Sequence, residues 1–253
     1  MFDHILTAVK RSRLGALEHG RVNQSGSAQS LFSGNFDGVM SVEAEFGGTR
    51  LGIGVMDNLE GEVVSLKGQT WAVPSDGRPR EVAGSETIAF GIAAHGGLRH
   101  SFHIPEDSEI EEVLAALDST LSRHHIDHEQ VVCALEIEGT FRDTVLRTVH
   151  RPDYAGEPLG EIIDDEIRFS FPRWEGTVVG FRYPDTTTGL TIPGLHLHGI
   201  SSDRTSGGHV RNLVTDTVTA HLWLDELVLP DEATEDAESS SIDFNRYEGP
   251  VED

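Results

Sequence analysis

The sequence predicts a β-rich protein with few helices, on three observations. Short alternating or apolar runs recur along the chain, separated by turns rich in Gly, Pro, Asn and Asp. The composition, 37% hydrophobic with 27 glycines in 253 residues, suits a compact, loop-rich chain with room for one large domain or two small ones. One segment alone carries a clear helical stripe, at Ile110, Val113, Leu114, Leu117 and Leu121.

The elements follow in order. Residues 1–20 form an N-terminal extension with a short helix over 2–13. Gly34-Asn-Phe-Asp-Gly38 is turn chemistry. Residues 39–46 alternate weakly and predict a strand closed by Gly47-Gly48. Residues 51–55 are a glycine-punctuated strand, 58–61 a turn, 62–67 and 70–73 strands, and 86–94 another strand after the Pro74-Ser-Asp-Gly77 turn. The helix runs from about 109 to about 123, with Ser108 and Glu111 as its capping box. His124, His125 and His128 follow it, a basic-leaning end that suits the helix dipole. Strands resume at 131–139 and 144–149. Residues 152–159 connect to strands at 167–171 and 176–182, with a turn at 184–189. Residues 212–229 alternate as one long strand or a hairpin. Residues 231–240 carry five acidic groups among Ser, Thr and Ala and predict a solvated linker. No internal repeat is visible.

Charge and cysteine usage exclude several function classes. The formal net charge of −24 argues against nucleic acid and anionic membrane surfaces. Lysine occurs only at Lys10 and Lys67, a pattern shared by salt-adapted proteins and by biased genomes. No run of apolar residues is long enough to span a bilayer, and the first ten residues lack the layout of a secretory signal. The single cysteine, Cys133, rules out an internal disulfide framework. The expected location is therefore cytoplasmic.

Between the turn at 184–189 and the last long strand lies the segment with the most chemistry. His196 and His198 stand two apart in a strand-like run, so their imidazoles share a face. His209 follows Gly207-Gly208, a turn able to bring it beside them. Three converging neutral imidazoles suit a zinc with an open coordination position, whereas closed structural sites generally use several cysteines. The same spacing also arises by chance in a chain with 13 histidines. Asp203 and Arg204 taken alone are ordinary turn residues.

Five blocks, in order over roughly residues 22–230, resemble the α-acetolactate decarboxylase family. They are Leu31 to Gly38, ending Phe36-Asp37-Gly38; Leu51 to Glu62, ending Leu59-Glu60-Gly61-Glu62; Phe141 to Val149, with Arg147; Gly176-Thr-Val-Val-Gly-Phe181; and the histidine segment through Val210. The resemblance implies an α/β (α+β) fold with two β-sheet subdomains and a zinc site between them. The domain would span 20–230, as halves of about 20–155 and 156–230, followed by an acidic tail, 231–253, that returns to the active site. It implies Zn2+ on His196, His198 and His209, and decarboxylation of the small-molecule substrate 2-acetolactate to acetoin and CO2. Glu62 and Arg147 take the places of an active-site glutamate and arginine. A second, C-terminal glutamate is assigned to Glu248, with Glu252 as the alternative. A homodimer is the assembly kept open. Departures from the family pattern are Val55 where threonine is usual, the degenerate Asn23-Gln24-Ser-Gly, and Thr87-Ile-Ala-Phe90 in place of Pro-Phe-Ala.

These residue types suit the chemistry. Losing CO2 from acetolactate leaves an electron pair that delocalises into the adjacent ketone as an enediolate. A Lewis-acidic metal stabilises that charge, so no organic cofactor is needed. Arg147 supplies a planar bidentate contact for anionic oxygens, and Glu62 or Glu248 a proton. Without the resemblance, Glu62 is a strand-edge surface acid, Arg147 a surface ion-pair partner and Glu248 one more tail carboxylate. Two competitors share the His-x-His element: a cupin-like metal enzyme and a non-catalytic metal-binding protein.

Overall fold

The computed structural model describes residues 20–128, 131–184 and 194–228, with side chains through residue 224. The expected helix over 2–13, most of the turn at 184–189, the acidic tail, Glu248 and Glu252 lie outside the described residues. The first half of the chain, dense in glycine and turn residues, folds into short strands: β1 (Gly20–Ser25), β2 (Met40–Ser41), β3 (Leu51–Met56), β4 (Glu62–Leu66), β5 (Gln69–Val73), β6 (Arg80–Glu81) and β7 (Thr87–His95). Two short helices interrupt them, α1 (Ala28–Phe32) and α2 (Val42–Phe46). The second half holds β8 (His100–Phe102), α3 (Ile110–Arg123), β9 (Val132–Thr148), α4 (Leu159–Asp164), β10 (Ile167–Tyr183), β11 (Gly194–Ser201) and β12 (Gly207–Val228). The architecture is the expected β-rich α+β one.

Strand pairing explains how the halves meet. One antiparallel sheet has the order β6-β5-β4-β3-β7-β1, and the other the order β12-β9-β10-β11. They join edge to edge through the parallel pair β1–β12, with Val22 opposite Leu227. β11 also pairs with the start of β12, so the second sheet closes on itself. β3 is buried along its whole length, and its glycines follow from that packing. A Cβ on Gly54 would lie 2.3 Å from the Phe90 carbonyl oxygen. One apolar core, including Ile53, Phe90, Val179, Phe181 and Trp223, draws on both sheets. A second forms where the stripe of α3, with Val113, Leu117 and Leu121 buried, covers Leu135, Val178 and Leu222. No helix among the described residues is long and apolar enough to cross a membrane.

The structure corrects several expectations. Residues 39–46 are a two-residue strand followed by α2, because Ser41 caps a helix: its Oγ accepts the Ala44 N–H at 3.3 Å. Ser108 does not cap α3. Its backbone N–H donates to Thr215 Oγ1 (3.0 Å) and its hydroxyl to the Pro105 carbonyl (2.9 Å), which ties it to β12. The helix therefore begins one residue later, with the Glu109 N–H donating to Glu112 Oε2 at 2.8 Å. β9 and β10 are each one strand rather than two. Asp143 and Pro172 drop out of the ladder, which resumes on either side. Residues 207–228 form one strand, and α4 begins where only a connector is expected.

Candidate metal centre and substrate pocket

Register assembles the histidines. His196 and His198 lie on the same face of β11, and His198 stands directly opposite His209 on β12. Gly207-Gly208 are therefore the start of β12 rather than a turn, and the reversal is made at Ser202–Ser206, where Arg204 adopts φ +60°. Gly208 is needed where it sits: its φ is +138°, and a Cβ there would lie 2.4 Å from the Arg147 carbonyl oxygen. Asp203 locks the turn by accepting from Ser201 Oγ, the Thr205 N–H and Thr205 Oγ1. Arg204 stacks on the Trp71 ring, 4.7 Å from its centre, which holds the hairpin to β5.

The three imidazoles are buried, with ring centres 5.0–5.4 Å apart and one nitrogen of each within 4.8 Å of the others. His198 Nδ1 lies 2.8 Å from the Val63 carbonyl oxygen of β4. A carbonyl only accepts, so Nδ1 carries a proton, and in the neutral ring Nε2, 3.2 Å from His196 Nε2, is the nitrogen with the lone pair. Burial holds the His209 imidazole well below its ordinary titration range, with Arg147, His198 and Arg211 adding to the effect. This donor set fits a metal ion: neutral imidazoles are required, and a carbonyl already fixes one ring from behind. His124, His125 and His128 do not join the cluster.

Glu62 and Arg147 are buried beside the imidazoles, with exposures of 5% and 6%, so neither is a surface group. Arg147 on β9 is the cross-strand neighbour of His209. Its Nη1 donates to Glu62 Oε1 at 2.5 Å, across 85 residues of chain. Glu62 Oε2 lies 3.6 Å from His198 Nε2. Glu62, Arg147, His196 and His198 are the polar lining of a cavity of about 50 Å³, walled otherwise largely by apolar side chains including Leu31, Val55, Leu59 and Ile163.

Sequence reasoning misses the groups behind Arg147. Glu166, at the foot of β10, lies near Arg147 Nε (3.4 Å), Arg211 Nε (3.3 Å) and Arg168 Nε (2.6 Å). Arg211 falls at a register shift between Val210 and Asn212, and no local pattern marks such a bulge.

A β-rich scaffold that buries three clustered imidazoles beside a carboxylate and a guanidinium, with His196, His198, Glu62 and Arg147 lining one small cavity, has the layout of an enzyme site whose histidines could hold a metal ion. The family model for alpha-acetolactate decarboxylase matches residues 22–227, and the chain belongs to that family. Among its relatives is the alpha-acetolactate decarboxylase of Methanosarcina mazei, 30% identical over 206 residues, which are 81% of this chain and 70% of the relative. That of Klebsiella aerogenes is 28% identical over 192 residues, 75% of this chain and 71% of the relative. The crystal structure of the Bacillus subtilis strain 168 enzyme superposes with a TM-score of 0.77 at 26% identity, covering 90% of this chain and 99% of that one.

Proposed function

We propose that this chain decarboxylates 2-acetolactate to acetoin and CO2 in a site that holds one zinc through His196, His198 and His209. Family membership together with the Arg147–Glu62 pair beside the imidazoles carries the reading. When bound, the ion supplies Lewis-acid stabilisation of the charge that develops on the substrate oxygens as CO2 leaves.

The chain's own groups do the rest. The apolar wall takes the two methyl groups and excludes water, which strengthens every polar contact inside. Arg147 grips the substrate's anionic oxygens through its planar guanidinium. Glu62 accepts the proton of the tertiary hydroxyl and returns it to the carbon that has lost CO2, while solvent supplies the one proton consumed overall. Glu62 approaches from one side only, so protonation on a single face follows. The domain spans residues 20–230, and the acidic segment after it brings Glu248, or Glu252, as a second carboxylate.

The test is direct. Purified protein incubated with racemic 2-acetolactate is expected to form acetoin, read colorimetrically, and metal analysis is expected to find about one zinc per chain. Zinc without acetoin would leave a metal-binding protein, and acetoin without a transition metal would remove the histidines from the mechanism.

A further inference from the structure

We propose that Glu166 is a positioning residue for Arg147, a buried carboxylate that orients the guanidinium from behind without touching substrate. The proposal rests on the reading above, in which Arg147 acts in the reaction. Strand register creates the problem that Glu166 solves. Reading across the sheet, Arg168 on β10 stands opposite Arg147 on β9, Arg147 opposite His209 on β12, and His209 opposite His198 on β11. Two guanidinium groups in directly opposed positions repel each other. The bulge in β12 adds a third, Arg211, which is 5% exposed. Arg147 and Arg211 thus lie near His209, with the more exposed Arg168 next to Arg147 in register, and Glu62 engages Arg147 on the pocket side.

Glu166 stands two residues before Arg168 and places its carboxylate among all three. Its side chain is 4% exposed; Oε2 is 3.4 Å from Arg147 Nε, and Oε1 is 2.6 Å from Arg168 Nε and 3.3 Å from Arg211 Nε. A charge buried to that extent is kept only where its partners compensate its lost hydration. Glu166 is absent from the cavity wall, so it acts through Arg147 rather than on the substrate. The consequence for geometry is specific. Nη1 is hydrogen-bonded to Glu62, and Nε faces Glu166 as an ion pair without a hydrogen bond, so the carboxylate restrains the guanidinium electrostatically from the side away from Glu62. An arginine held at one point swings, and displacement by about 1 Å costs on the order of a hundredfold in rate.

The experiment is a double-mutant cycle on the metal-loaded full chain, with kcat, KM, metal content and melting temperature measured for every variant. Glu166→Gln is expected to lower kcat about 10- to 100-fold with metal content retained. In an Arg147→Ala background the same substitution is expected to change kcat by less than about twofold, because the group it orients is gone. A purely structural role would lower melting temperature and reduce kcat equally in both backgrounds; that result, or a wild-type kcat for Glu166→Gln, overturns the proposal. If Glu166→Gln does not fold, Glu166→Asp serves in its place. It keeps the charge one methylene short, with a smaller kcat loss expected that again vanishes without Arg147. Equal loss in both backgrounds overturns it there too. Full activity of Arg147→Ala alone takes Arg147 out of the reaction and overturns this proposal, whereas absence of acetoin from the wild-type protein sinks the functional reading, a separate outcome.

Discussion

The two sides of the cavity are built from different kinds of strand. Glu62, Val55 and Phe90 come from β4, β3 and β7, which are five, six and nine residues long. Arg147 comes from β9, 17 residues long, and His196 and His198 from β11, whose eight residues all pair with the 17-residue β10; His209, opposite His198, comes from the 22-residue β12. On the short-stranded side, neighbouring positions are mostly apolar and fill space. On the long-stranded side, polar groups line up across consecutive strands, and a one-residue slip would turn every one of them to the other face. Long, bulged strands with many ladder bonds resist that slip. The charged half of the site thus needs register, and the apolar half needs volume.

The largest test of this contrast removes a member of the polar row. His198→Ala is expected to lose the metal and to lower turnover by roughly a thousandfold or more, about 4 kcal/mol. Metal analysis and acetoin formation check it, and retention of stoichiometric metal would show that the row is not the binding element. Next comes Arg147→Ala, which should keep metal and fold yet lose about a hundredfold in turnover, close to 3 kcal/mol. Arg147→Lys should rescue little, since an ammonium cannot reproduce the planar fork. Glu62→Gln should fall in the same direction although it comes from the short-stranded side. Full acetoin production by both variants would remove this pair from the mechanism.

A third test concerns the short-stranded half alone. Glu45 of α2 is buried, and burial raises its carboxyl to about 7 although Ser25 Oγ donates to it at 2.5 Å. A raised folded value means that the protonated form is favoured in the native state. Its contribution is complete below the ordinary carboxylate value and is lost as pH climbs through about 7. The loss between pH 4.5 and 8 is at most about 3 kcal/mol. Glu45→Gln should flatten that dependence in denaturant unfolding, and an unchanged pH profile would show that Glu45 does not govern it. The smallest effect is expected at Val55, which is opposite Glu62 in the β3–β4 pair and lines the cavity. Val55→Thr should change kcat/KM by no more than about tenfold, in line with single-group changes in apolar pockets. A collapse of activity would mean that the apolar side also carries a polar requirement.

What could be read in advance divides along the same line. His196 and His198 were legible because a strand's period of two places them together whatever surrounds them. Glu62 and Arg147 were legible only through the family's motifs, since nothing in a residue's type declares its burial. Pro172 and the glycine at 139 look like strand ends, yet long pairing partners on both sides carry β9 and β10 past them. Gly207-Gly208 look like a turn, yet they are the thin part of a strand, with Gly208 pressed against the Arg147 backbone and Gly207 against the Gly199 carbonyl. Glu166 and Arg211 depend on a bulge and on a four-strand register, which local sequence does not encode.

The bond from His198 Nδ1 to the Val63 carbonyl has an evolutionary consequence. The acceptor belongs to the main chain, so no side-chain substitution deletes it. Position 63 is free to drift among residues that fill the same space, and the histidine keeps its tautomer throughout. Only a shift of β4 relative to its neighbours removes the acceptor, and that shift would carry Glu62 away in the same movement. Ligand orientation and the approach of the carboxylate are therefore inherited together, as one property of a strand rather than as two separately mutable residues.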